Sequence, residues 1–474
     1  MDSLPADFEK RMVDVLGSRE RLDELLGADA RRAIRVNPLK TTEDEVLDRL
    51  HALGIETEPI DWAESSHFTR DPDQRPIGSL WEHRSGQFFI QGPASTLPVQ
   101  ALDPQSGDRV LDLCAAPGSK TTHIAERLDQ EGLVVANDRA PGRVNNLISN
   151  LDQTGALTAV ATQFDACRLQ WPTTFDRVLV DAPCSNLGGI HADWEPVESY
   201  DPESIKRLAG AQRAMMASAF HATREGGRIV YSTCTIEPRE NEEIVEWFLR
   251  EYPVEIEALD VDVGEPAMTE AGSDTYDGDV QAARRLWAGE ESTESFFVAA
   301  FTKQGPAPFE EARPPQSGGL DIELDGQGPI EETTAAFGLQ GTVLDEAQAL
   351  STASKVYAST APALPELLEL GTDRVGTYLG RPETRGHRLS FAAATLVGEA
   401  ADRRIELTPT EGRRWLAGET IELGSGAGRE WSIVTCEGEA IGCARRFGTE
   451  LPCYVPKRFR SPDPEANVLG FLPK

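Results

Sequence analysis

Lysine is scarce in this chain. It supplies 8 of the 46 basic residues, against 79 acids, for a formal net charge of −33 over 474 residues. Such a surface repels polyanions in dilute buffer, but net charge speaks to solubility and partners, not to fold. An acidic, lysine-poor, alanine- and glycine-rich composition matches adaptation to high salt, as in halophilic archaea. At 1 M salt the Debye length shrinks to about 3 Å, so acidity does not exclude a nucleic-acid substrate. Long apolar runs are also missing: none approaches the roughly 20 residues of a membrane helix. The first residues, MDSLPADFEKRM, lack the apolar stretch of a signal peptide. The seven cysteines are scattered, with no CxxC pair and no HxxxH beside them. This argues against a disulfide framework and for a reducing cytoplasm. No internal repeat is present. The expectation is a cytoplasmic protein, not bound to a membrane, of roughly two to four domains.

The chain is organised around residues 111–121, LDLCAAPGSKT. An apolar run, then Ala-Pro-Gly, then apolar residues at helical spacing read as strand, tight turn and helix. Pro117 and Gly118 set the turn, and Ser119 is placed to cap the helix. There is no GxGxxG, so nothing asks for a pyrophosphate. A tight turn at the carboxyl end of a strand suits a nucleoside ligand without phosphates, such as S-adenosylmethionine.

From Gly107 onward strands and helices alternate, which predicts an α/β fold with a parallel, doubly wound sheet. Strands are expected at 110–114, 133–137, 157–162, 177–181 and 228–232, helices at 120–128, 143–153 and 205–223, and a late strand closing the sheet edge at 295–301. Residues 1–98 form a leading segment with helical periodicity at 8–26 and 42–53. Between these lies RRAIRVNPLK (31–40), four positive charges without an acid, a candidate phosphate-contacting strip. The methyl-donor fold is assigned to 99–303, and a Pro-, Gly- and acid-rich linker to 304–330. A small α+β domain follows at 331–474. Its segment 441–460 carries five basic residues against one acid. Phe447, Tyr454 and Phe459 are interleaved with those charges, which reads as RNA contact.

Further chemistry-bearing residues fall at predicted strand ends. Asp138 follows the second strand, where a carboxylate can accept ribose hydroxyls. Asp165 ends the third, within reach of an adenine amino group. The fourth strand ends in Asp181-Ala182-Pro183-Cys184-Ser185 and the fifth in Tyr231-Ser232-Thr233-Cys234-Thr235. If these two strands are neighbours, about 4.8 Å apart, both thiols face one crevice. Two cysteines with His191 could instead hold a metal, but no metal-ligand spacing accompanies them and none is expected. A methyl donor beside two thiols suits carbon 5 of cytosine, a poor nucleophile. A thiolate adding to carbon 6 turns the ring into an enamine-like species whose carbon 5 can attack a sulfonium methyl. Loss of the carbon-5 proton and elimination of the thiol then release product. Asp181 is placed to hydrogen-bond the N3 or amino edge of the base. The residues alone do not rank the two thiols, since a Pro-Cys nucleophile would point to Cys184.

LDLCAAPGSKT, DAPCS and STCT, in this order and spacing, resemble the RNA cytosine-5 methyltransferases of the Sun family. RVNPLK, GQFFIQGPAS and YSTCTIEPRENE are similar too, so the likeness covers roughly residues 30–303. It implies a class I, Rossmann-like S-adenosylmethionine methyltransferase acting on tRNA or rRNA. Cys234 would be the nucleophile, with Cys184 assisting breakdown of the adduct and Asp181 orienting the base. The donor would be held by the turn Cys114, Ala115, Ala116, Pro117, Gly118, Ser119 and Lys120, and by Asp138, Asp165 and Asp181. The C-terminal region, from GTYLGR onward, resembles a PUA-like RNA-binding extension. The expected partner is RNA, with no DNA, and the expected state is a monomer. Two departures stand out: Asn186 sits where the family usually has glycine, and a Pro-His expected near Trp287 is absent. Neither is expected to touch the core chemistry. A rival reading is a ribosome-assembly factor whose chemistry is dispensable, although retention of both thiols opposes it. An amino-directed methyltransferase would need Asn/Asp-Pro-Pro-aromatic at the fourth strand, where DAPCS stands.

Overall fold

The computed structural model describes residues 4–168, 171, 174–306, 322–362, 368, 372–383, 386–424 and 430–460. Its centre is a ten-stranded sheet. Seven strands define it: β1 (Arg109–Asp112), β2 (Leu133–Asn137), β3 (Ala159–Thr162), β4 (Phe175–Asp181), β5 (Thr223–Thr233), β6 (Arg284–Leu286) and β7 (Phe296–Lys303). They lie in the order β6-β7-β5-β4-β1-β2-β3. β1 to β5 are parallel. The chain runs outward through β1, β2 and β3, then returns to place β4 on the other side of β1. The strand order reverses there, and a crevice opens beyond the carboxyl ends, where such sheets bind ligands. This is the class I methyltransferase architecture.

The sheet is mixed where a parallel one was expected. β7 runs antiparallel to β5 and β6 antiparallel to β7. β7 is also interior, since Val254–Glu257 pairs with it as well as β6, so it does not close the edge. Its sequence, FFVAAFTK, is buried almost throughout, as an interior strand requires. Alternation along each strand sorts residues to two faces. Leu111, Val178, Val180, Ile229 and Tyr231 pack with Met216, Phe220 and Phe248. Those aromatic and sulfur side chains come from α3 (Pro202–Ala222) and α4 (Glu242–Glu251). Val110, Val134, Leu179 and Val230 pack oppositely with Ile124, Leu128, Leu147 and Leu151, from and just beyond α1 (Ser119–Arg127) and α2 (Pro141–Thr154).

The leading segment is a four-stranded antiparallel sheet with the helices Ala6–Leu16, Arg19–Leu26 and Glu43–Ala52 and the single turn Trp81–Arg84. The single helical pattern at 8–26 breaks at Gly17 (φ 79°), after which Ser18 caps the second helix. Within the expected linker, Glu323–Gly326 is a strand and a helix starts at Gly328; residues 307–321 lie outside the described part. Thr372–Val375, from the C-terminal region, pairs antiparallel with β3 and extends the central sheet. A three-stranded sheet, Arg404–Leu407, Trp431–Cys436 and Glu439–Arg445, stands beyond it.

Both basic islands are partly structural. In the first, Arg35 is 1 % exposed and paired with Glu126, Arg31 pairs with Glu58, and Lys40 Nζ donates to Ser85 O and Thr395 Oγ1. In the second, Phe459 is buried and stacked on Phe391 at 4.7 Å, and Tyr454 packs on Trp431 at 5.0 Å. Of the three aromatics expected to meet RNA, only Phe447 is exposed, at 48 %.

Candidate active site

The turn after β1 is closed by a cis Ala116–Pro117 peptide and by Gly118. Gly118 has φ 112°, a conformation that favours glycine, and it occupies the N-cap position. Ser119 is thus the first helical residue and does not cap; its carbonyl accepts from Arg35 and Thr122. Cys114, Ala115 and Ala116 are buried. Ala115 N–H donates to Asn137 O at 2.7 Å, and Arg143 donates to Ala116 O. The Cys114 thiol packs 3.7 Å from Met215 Sδ, and burial holds it well above the ordinary thiol range, so it stays protonated and inert.

Lys120 is turned away from the turn. Its ammonium lies 2.7 Å from Asp181 Oδ2, and Ser232 Oγ donates to Asp181 Oδ1 at 2.8 Å. Burial alone would lower the Lys120 ammonium, but Asp181 outweighs it and holds the group above its ordinary value, so it stays charged. A cation is thereby fixed beside the carboxylate expected to meet the base.

Asp181 and Ser232 are register partners on the adjacent parallel strands β4 and β5. The loops that follow bring Cys184 and Cys234 together, Sγ to Sγ 3.2 Å, as free thiols. The two loops are locked to each other. Gly188 N–H donates to Cys234 O at 2.9 Å, and a Cβ at Gly188 would come within 2.3 Å of Ser295 O. Glu240, fully buried, accepts from Ser185 N–H at 3.1 Å and from Gln212 Nε2 at 3.0 Å, while Gln212 also donates to Pro183 O. Asn241 Nδ2 donates to Thr235 O at 2.9 Å. The hydrogen bond with Cys234, followed by burial, holds the Cys184 thiol well above its usual range. Cys184 therefore keeps its proton, within hydrogen-bond distance of the Cys234 sulfur.

Asn186 was expected to stay clear of the chemistry, and it does not: its Oδ1 lies 3.2 Å from Cys234 Sγ. Its φ of 56° explains why glycine suits this position and why asparagine, the side chain most tolerant of the left-handed region, can replace it.

The acids that could hold a methyl donor ring the same crevice. Asp138 is 5 % exposed, accepts from Ala140 N–H at 3.0 Å and lies 3.4 Å from Arg143 Nη2. Asp165 stands three residues past β3, accepting from Cys167 N–H at 3.1 Å with Arg168 at 3.7 Å. Sequence reasoning missed Asp112 at the end of β1. It accepts from Thr121 Oγ1 at 2.7 Å, its Oδ1 has no partner among the described residues, and burial pushes its carboxyl up to about 7. Carboxylates at the ends of successive strands, one with a buried unpaired oxygen, fit a ligand that carries an ammonium, a sulfonium and ribose hydroxyls. Asp112, Asp138 and Asp165 would hold such a group. Gln212 lies in no recognised motif, whereas Asp112 lies within LDLCAAPGSKT and Glu240 and Asn241 within YSTCTIEPRENE, so the signal was there but not singled out for these side chains.

Comparison with known proteins agrees with the architecture. A family model described as 16S rRNA methyltransferase RsmB/F matches residues 99–302, one for the N-terminal domain of 16S rRNA methyltransferase RsmF matches 4–93, and one for the methyltransferase RsmF PUA domain matches 402–461. Ribosomal RNA small subunit methyltransferase F of Klebsiella pneumoniae (strain 342) is 32 % identical over 473 residues, covering 96 % of each chain. The protein of that name from Escherichia coli O9:H4 (strain HS) is 33 % identical over 470 residues, again covering 96 % of each. Among solved structures, a methyltransferase homolog protein from Pyrococcus horikoshii is 31 % identical with TM-score 0.57, over 62 % of this chain and 93 % of that one. NSun6 from Pyrococcus horikoshii with SFG, 22 % identical with TM-score 0.57 over 64 % of this chain and 99 % of that one, shares the fold. With a third of its residues shared along nearly the whole length of those relatives, the chain belongs to the 16S rRNA methyltransferase RsmB/F family of S-adenosylmethionine-dependent enzymes.

Proposed function

We propose that this protein methylates carbon 5 of a cytosine in small-subunit ribosomal RNA through a covalent adduct on Cys234. The observation that carries the reading is the pair of sulfurs 3.2 Å apart at the ends of β4 and β5, beside the Lys120–Asp181 pair. When bound, S-adenosylmethionine supplies an electrophilic methyl group. Everything else falls to the chain's own residues.

The Cys184 thiol, held protonated, donates a hydrogen bond to the Cys234 sulfur and thereby stabilises Cys234 as thiolate. The Cys234 sulfur adds to carbon 6 of the base, forming the S–C6 bond and pushing electron density to carbon 5. Asp181, oriented by Lys120 and Ser232, accepts from the amino edge of the cytosine. After methylation water takes the carbon-5 proton, the pair of that C–H bond restores the C5–C6 double bond, and the S–C6 bond breaks to return the Cys234 sulfur as thiolate, a release that Cys184 assists. Asp112, Asp138 and Asp165 hold the donor, with the turn Cys114–Lys120 shaping the floor. The relatives' names favour rRNA over tRNA, and the PUA-like region would recruit it. The protein would act as a monomer in the cytoplasm, on RNA and not DNA. Reaction with small-subunit rRNA and donor, followed by nucleoside mass spectrometry, tests the assignment. The expected product is 5-methylcytidine, absent with Cys234→Ala; a methyl group on any other atom would overturn it.

A further inference from the structure

We infer that Asn186 is a positioning residue for the active-site thiol Cys234, holding its sulfur through the side-chain amide. The inference rests on the reading of Cys234 as nucleophile. The side-chain Oδ1 lies 3.2 Å from Cys234 Sγ. The amide reaches this sulfur from a left-handed backbone, φ 56°, at the bend between Ser185 and the tightly packed Gly188.

An amide is suited to a thiol that must ionise and be regenerated. Its carbonyl oxygen accepts from S–H, and after a half-turn of the same group its NH2 donates to S⁻. Asparagine thus partners both protonation states, which neither glycine nor aspartate can do. Glycine offers no side-chain partner. Aspartate, ionised, accepts from the thiol and repels the thiolate. Other groups act on this sulfur: Cys184 donates to it, the Lys120 ammonium attracts it, and Glu240 and Asp181 bring negative charge to the surrounding loops. These are unchanged by substitution at position 186, so the amide's share can be read separately.

The left-handed backbone makes Asn186→Gly a variant that retains the fold, and Asn186→Asp is close to isosteric. The full-length protein is alkylated with iodoacetamide across about pH 6 to 10, spanning the ordinary cysteine range, and Cys234 and Cys184 modification are followed as separate peptides. The expected result is a Cys234 alkylation midpoint raised by about half a unit to one unit in Asn186→Gly, the excess of the hydrogen bond lost to the charged thiolate over the one lost to the neutral thiol. Asn186→Asp should raise it further, with the Cys184 profile unmoved in the glycine variant. Coincident Cys234 profiles in all three proteins, at equal melting temperature, would overturn the inference. If Cys234→Ala still methylated RNA, the nucleophile assignment would fail while an alkylation shift stood, so the two failures are distinguishable.

Discussion

Asp112 is 1 % exposed at the carboxyl end of β1, with one oxygen bonded to Thr121 and the other unpaired. Burial raises its carboxyl from an ordinary value of 3.8 to about 7. Between those values the folded chain holds a proton that the unfolded chain has released. Stability contributed by this group is therefore full below about pH 4 and is lost as the pH rises toward 7. Asp112→Asn should flatten the dependence of melting temperature on pH across that window, measured without donor; an unchanged slope would show that another group sets it. At this scale the sequence was most readable at the side chains proposed to do the chemistry. Cys184, Cys234 and Asp181 sit in recognisable motifs, and the structure brings all three to one crevice. It was least readable where a residue works through a partner distant in the chain. Glu240 and Gln212 lock the DAPCS loop from α4's entry and from α3, and Lys120, read as a donor ligand, is claimed by Asp181 across the turn.

Elements follow the same division. The Val- and Ala-rich strands and the helices between them were legible from period and turn residues, to within a few positions, because both faces of the parallel sheet are buried. The antiparallel strands beyond β5 were less so, since pairing direction leaves no trace in a short apolar run such as SFFVAAF. The basic strip at 31–40 shows the limit of charge counting. Arg35, on the strand Ala33–Val36, reaches the far end of α1, where Glu126 accepts a fork of bonds at 2.7 and 2.8 Å, and further bonds go to Thr122 and Gln91. Both partners are buried, so removing one strands the other's charge. Arg35→Ala should destabilise the protein by about 3–5 kcal/mol, seen as a lowered midpoint in denaturant unfolding. A loss below about 1 kcal/mol, the level of an exposed pair, would contradict this role.

Over the whole molecule, the C-terminal region is built into the rest. Phe391, Trp415 and Phe459 share one apolar cluster with Ile34, Trp81 and Phe88 of the leading segment. Thr372–Val375 covers the free edge of β3, and the buried Arg374 pairs with Asp152 on α2. Composition announced the acidic surface but not this docking, which depends on apolar faces belonging to segments some three hundred residues apart. The proposed function requires two sulfurs to meet a nucleobase in the crevice beyond β4 and β5. The most direct test is a denaturing gel of protein incubated with small-subunit rRNA and methyl donor. Cys184→Ala should accumulate a protein–RNA adduct that survives denaturation, and Cys234→Ala should form none. An adduct on Cys234→Ala, or none with Cys184→Ala while methylation proceeds, would contradict the account.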